Sequence, residues 1–127
     1  VFVNDVVTQD SIYQLQEIMK DFPKADVVTR HHFSDGMYAR EMVMPAGSIV
    51  VGATHKSKHL YSVVSGECEV SSVHEREKIV APYLGETVPG TKRVIYSETG
   101  CTWITYHPTH LTDIKEIEAA LVEQEVI

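Results

Sequence analysis

GSIVVGATHKSKHLYSVVSG, running from Gly47 to Gly66, is built like two short β-strands closed off by turns. Val, Ile and Tyr suit a pleated, half-buried surface, while Ser65-Gly66 and the glycine at the other end are turn chemistry. Successive side chains of a strand point to opposite faces. A strand over 48–55 therefore puts Ile49, Val51, Ala53 and His55 on one side. A strand over 59–65 does the same for His59, Tyr61 and Val63. Two histidines, four residues apart, end on faces that are otherwise apolar.

The same texture continues outward in both directions. Further strands are expected over 28–33, 37–44, 67–73, 77–81, 92–97 and 101–107, separated by Asp35-Gly36, Pro45-Ala46-Gly47, Pro82, Gly85, Pro89-Gly90 and Gly100. Short strands with turn signals this regular predict an all-β barrel or sandwich, and the lack of strand–helix–strand alternation argues against a parallel sheet. A helix is expected at each end. One runs over about 9–21, capped by Thr8 or Asp10, with Ile12, Leu15 and Phe22 at helical spacing and Pro23 closing it. The other runs over about 113–125, with Thr112 as cap and Ile114, Ile117, Leu121 and Val122 as its apolar stripe. The whole, residues 1–127, is expected to be one domain with its barrel over about 27–107.

Composition narrows the function. Eighteen acidic residues against eleven Lys and Arg leave a net charge of −7, which disfavours a broad face for a nucleic-acid duplex. A few cations gathered inside an acidic protein still make a site for an anion. Cys68 and Cys101 sit among strand-like residues and read as small buried hydrophobes. No stretch approaches the ~18 apolar residues of a membrane span and no secretory leader is seen, so a cytoplasmic protein without membrane contact is expected.

Alternation gathers the polar candidates. Tyr38, Arg40, Met42 and Met44 share a face, as do Cys101, Trp103, Thr105 and His107. A barrel would bring these faces together with those of His55 and His59. An inward arginine stays charged and needs an anion, and Glu41 points the other way.

The quoted stretch resembles the first motif of the cupins, G-x5-H-x-H-x3-E-x6-G. Gly47 and Gly66 match in register, His55 matches the second His, Ala53 stands at the first, and His59 replaces the Glu. Pro89-Gly90-Thr91-Lys92-Arg93 resembles the second motif, with Arg93 where a His is expected. More closely, the phrases HHFSDGMYAREMVMPAG, THKSKHLYSVVSGE, PGTKRVIYSE and CTWITYHPTH are similar to a family of small cupin-like proteins carried by bacteriophages, over about two thirds of the chain. The resemblance implies a cupin jelly-roll barrel, mostly β, and (if phage-borne) a place in the host cytoplasm. It also implies metal chemistry in those cupins that keep three His and one Glu; here only His55 keeps its residue.

Three functions are compatible with these residues. The leading expectation is a pocket that binds, or hydrolyses, a small anionic ligand such as a nucleotide or other phosphorylated metabolite. His55, His59 and His107 would be its acid–base groups, and Tyr38, Arg40, Lys92, Arg93, Tyr96 and Trp103 its binding residues, with Arg93 favoured over Lys92 to face inward. For a phage protein, this ligand could be a host nucleotide signal. The second is a cupin enzyme with one divalent metal (zinc, iron or manganese) on His55, His59 and His107. The third is a structural or regulatory phage protein without catalysis. A homodimer or larger symmetric oligomer is expected in each case.

Overall fold

The computed structural model describes residues 8–123. Helix α1, Gln9–Met19, opens on a reciprocal cap in which the Thr8 hydroxyl accepts from the Ser11 amide and the Ser11 hydroxyl accepts from the Thr8 amide. Its Ile12 is completely buried and packs with Val94, Leu15 and Val51 against the outside of the barrel. The helix ends at Met19, two residues short of the expected boundary, before Pro23.

Eight strands follow: β1 Val28–Ser34, β2 Met37–Met44, β3 Ser48–Val51, β4 His59–Ser71, β5 Arg76–Val80, β6 Tyr83–Thr87, β7 Val94–Ser97 and β8 Cys101–Pro108. All pairings among them are antiparallel. The order is β1-β2-β8-β4-β7-β3, with β5 and β6 also on β4. β4 is the axis of the fold. Its first half pairs with β6 and β8, and its second half with β5 and β7. The sheet therefore curls into a half-barrel, with one strand shared between its two walls.

Strands expected separately over 59–65 and 67–73 are thus one strand. Ser65-Gly66 does not turn the chain back; a register shift between Val63 and Ser65, with Gly66 at φ +75°, bends it. Strand β6 was not expected, because Pro82 and Gly85 read as turn residues; the cis Ala81-Pro82 bond and Gly85 lie at its start and within it.

β3 stops at Val51, short of the expected 55. Ser48 is buried and Val50 packs into the core, while Ile49 is exposed and Val51 turns toward α1, the reverse of the expected inward face. His55 consequently reaches the interior from a loop and not from strand alternation. β7 likewise begins at Val94, two residues later than expected.

The other faces follow alternation. β2 pairs with β8 so that Arg40 faces Thr105, Met42 faces Trp103 and Met44 faces Cys101. β8 pairs with β4 so that Trp103 faces Val63. Of these, Met42, Met44, Val63, Cys101 and Trp103 meet Tyr61, Cys68, Val70, Ile79 and Ile95 in one core, where the Tyr61 and Trp103 rings stack 4.3 Å apart. Cys68 and Cys101 are both free and buried.

Helix α2, Ile114–Leu121, is capped by Asp113, whose carboxylate accepts from the Glu116 amide; Thr112 is not the cap. Ile117 is its buried residue. Val122 leaves the helix to bridge His55, so the helix ends before the expected 125, and residues 124–125 of that expectation lie outside the described residues.

Candidate functional site

One end of the half-barrel collects the histidines. Leu60 of β4 pairs with Tyr106 of β8, which sets His59 beside His107; their ring centroids are 4.4 Å apart. His55 arrives from the loop after β3. Its amide donates to the Thr91 carbonyl, and its carbonyl accepts from the Gly90 amide. The end of α2 pins the same loop, with the Lys56 amide donating to the Leu121 carbonyl and the Glu123 amide to the Thr54 carbonyl. The His55 ring then lies 4.4 Å from His59 and 6.0 Å from His107.

These rings adjoin a cavity of about 240 Å³. Its polar side is made by Arg40, His55, His59 and Arg93, and its apolar side by Met42, Val50, Ile95 and Val122, with Trp103 also on the wall. His107 lies behind His59. Tyr38 is buried and stacks 6.0 Å from His107, and its hydroxyl is 2.6 Å from His31 Nδ1.

The two arginines differ sharply. Arg93 is buried, donates to the Thr87 hydroxyl at 2.6 Å and to the Glu75 carboxylate, and lies over the Tyr61 ring at 4.6 Å. Its charge is already matched. Arg40 is exposed at the cavity edge and forms no salt bridge among the described residues.

The histidines are electrically quiet but chemically open. Burial, with help from His59 and His107, pushes His55 down to about 3. Burial, then His59 and Arg40, pushes His107 down to about 4. Burial also lowers His59, with its hydrogen bond to the Ser57 carbonyl opposing. All three are therefore neutral imidazoles at neutral pH. Nδ1 of His55, Nε2 of His59 and Nδ1 of His107 are buried without a hydrogen-bond partner among the described residues. A buried polar atom left unpaired costs about 1–3 kcal/mol, so each of these nitrogens calls for a hydrogen-bond donor or acceptor, water included.

Of the residues singled out in the sequence, His55, His59, Arg40, Arg93 and Trp103 line the cavity, with His107 and Tyr38 packed behind. Lys92 and Tyr96 are placed elsewhere. Lys92 is fully buried on the α1 side, donating to the Gly52 carbonyl at 2.8 Å and lying over the Tyr13 ring. Tyr96 is half-buried beside Glu67, Glu69 and Lys78, away from the cavity. Glu75 was missed. A buried arginine demands an acceptor, so Arg93 itself was the signal, but nothing in the sequence pointed to that turn.

No family model matches the chain, and no curated protein is similar to it in sequence. Solved structures do match in shape. An RmlC-like cupin from Shewanella frigidimarina superposes with a TM-score of 0.59 at 16% identity, over 76% of this chain and 85% of that one. A cupin superfamily protein from Desulfitobacterium hafniense gives 0.57 at 12% identity, over 70% and 83%. The fold is the cupin fold. The cupin domain of Schizosaccharomyces pombe Cnp3 extends the likeness, with a TM-score of 0.56 at 15% identity over 79% of this chain and 70% of that one.

A cupin metal centre does not fit these residues. Ala53 offers no donor, and the guanidinium of Arg93 is a cation committed to Glu75 and Thr87. His55, His59 and His107 do come together, but their rings lie stacked and tilted against one another. Among the described residues no three His, Cys, Asp or Glu side chains are grouped to hold a metal ion. The cupin barrel here presents neutral imidazoles and a free guanidinium to its cavity. No helix among the described residues is long and apolar enough to cross a membrane.

Proposed function

We propose that this cupin barrel binds a small anionic metabolite in its cavity and acts on it by acid–base chemistry without a metal. The observation that carries this reading is the set of unpartnered imidazole nitrogens beside an arginine that, among the described residues, has no carboxylate of its own. A guanidinium at the mouth recognises carboxylate or phosphate by paired, charge-assisted hydrogen bonds. A neutral imidazole with a free lone pair is a general base at neutral pH, and Arg40 would stabilise charge that develops on the ligand.

Size selects among anions. A cavity of about 240 Å³ is worth about eight water molecules at their liquid volume of about 30 Å³ each. A compact metabolite fits whole; a nucleotide fits in part. Phosphorylated metabolites and nucleotides remain the ligands that the similarity to phage-borne proteins brings forward, with a host nucleotide signal as the corresponding biological target.

Titration of compact carboxylates and phosphate esters, followed by the fluorescence of Trp103, the chain's one tryptophan, tests the reading. Arg40→Gln is expected to weaken binding about tenfold, the loss of one charge-assisted contact, with the melting temperature unchanged. Treatment with a chelator is expected to leave affinity unchanged. Binding that is indifferent to Arg40, or lost on chelation, would sink it.

A further inference from the structure

The anion reading leaves open what the rest of the ligand looks like, and His59 constrains it. Its Nδ1 lies 3.0 Å from the carbonyl oxygen of Ser57. A carbonyl oxygen only accepts, so Nδ1 carries the proton. In the neutral ring Nε2 then holds a bare lone pair. That nitrogen is buried, belongs to a cavity-lining residue only 5% exposed, and has no partner among the described residues. It asks for a donor.

A carboxylate or phosphate oxygen cannot answer, because it too is an acceptor and would meet the lone pair with repulsion. An ammonium group would donate, but it would enter beside the guanidiniums of Arg40 and Arg93. Arg93 does not fill the role: its Nε and Nη1 donate to Glu75 and Thr87, and His59 Nε2 has no partner among the described residues. A hydroxyl satisfies the lone pair without adding charge. Met42, Val50 and Ile95 leave apolar surface for a carbon skeleton.

We infer that the ligand is a hydroxyl-bearing anion, a carboxylate or phosphate ester whose O–H donates to His59 Nε2 while its charged group faces Arg40. This rests on the anion-binding reading above. The lowered proton affinity of His59 agrees with it, since burial favours the neutral ring.

Two matched series test the inference on the full-length chain by calorimetry. One compares α-hydroxyisovalerate with isovalerate and with the α-methoxy ether. The other compares glycerol phosphate with propyl phosphate. In whichever series binds, the hydroxyl compound is expected to bind at least about tenfold tighter than its partners, because a site built to hydrogen-bond a hydroxyl rejects analogues without it. His59→Phe is expected to erase that preference while anion affinity persists; should the variant not fold, the wild-type series decides alone. Equal affinity for hydroxyl, deoxy and ether compounds overturns the hydroxyl assignment and leaves the anion reading standing. Failure of every member of both series to bind overturns both.

Discussion

Arg40 and Arg93 show how far one residue type can differ in one barrel. Arg93 is a structural cation, clamped between Glu75, Thr87 and the face of Tyr61. Replacing it strands a half-buried carboxylate, and breaking such a pair is costly because the remaining charge stays uncompensated. Arg93→Met is expected to lower the unfolding free energy by about 2–3 kcal/mol, the value of hydrogen bonds to a charged group. The double variant Arg93→Met, Glu75→Met should recover part of that loss in urea titrations; no recovery would mean that packing against Tyr61, not the ion pair, is what Arg93 contributes. Both arginines were legible as inward residues, Arg40 from alternation along β2 and Arg93 from the motif register. Lys92 was harder to read. It precedes β7, where no ladder fixes alternation, and it turns to α1 while its neighbour turns to the cavity. Tyr96 misled for a related reason, since Val94 and Ile95 are both buried and the strand carries apolar side chains on each face.

At the scale of elements, β4 decides the architecture, and its bend at Gly66 decides β4. A Cβ at Gly66 would lie 2.1 Å from the Gly100 carbonyl oxygen and 2.9 Å from the Cys101 Cα, with φ at +75°. Backbone meets backbone there, so no side chain can yield. Gly66→Ala is expected to cost more than about 3 kcal/mol, combining the left-handed strain with the clash. Gly90→Ala is the control: φ is +84° but nothing lies within 4 Å, so only the strain of about 1–2 kcal/mol remains. Similar losses in thermal melts of the two variants would count against the close packing of β4 on β8. Most of the strands and both helices were visible in the sequence because alternation and turn residues mark them; β6 was not, because Pro82 and Gly85 read as turns. The shared identity of β4 was not, because Ser65-Gly66 has the chemistry of a turn and only the pairing with β8 and β7 on either side of it makes a bend instead. His55 was named from the sequence, but its route to the cavity, from a loop and not a strand, was hidden for the same kind of reason. Its position depends on backbone bonds to Thr91 and on Val122 at the end of α2, contacts made by segments far apart in the chain.

The whole molecule carries a consequence of burying neutral imidazoles in an acidic protein. Once unfolded, each histidine takes up a proton as pH falls through about 6.5. Folded, His55 does so only at about 3 and His107 only at about 4. Between these limits the unfolded chain holds more protons than the folded one, so stability is full above about pH 6.5 and declines toward pH 4. Each such histidine contributes a slope of up to about 1.4 kcal/mol per pH unit. Glu41, held below the usual carboxylate range chiefly by its hydrogen bond to His32, acts in the same direction but only at lower pH. Measurement from pH 6.5 to 5 therefore isolates the imidazoles. Urea titrations across that window should show falling unfolding free energy, and His55→Gln or His107→Gln should each flatten the slope by about one proton's worth. A flat wild-type profile would mean that the rings charge as freely folded as unfolded. The cluster would then be cationic in mild acid, His59 Nε2 would hold a proton under the same conditions, and the hydroxyl of the ligand would have to accept there instead of donate.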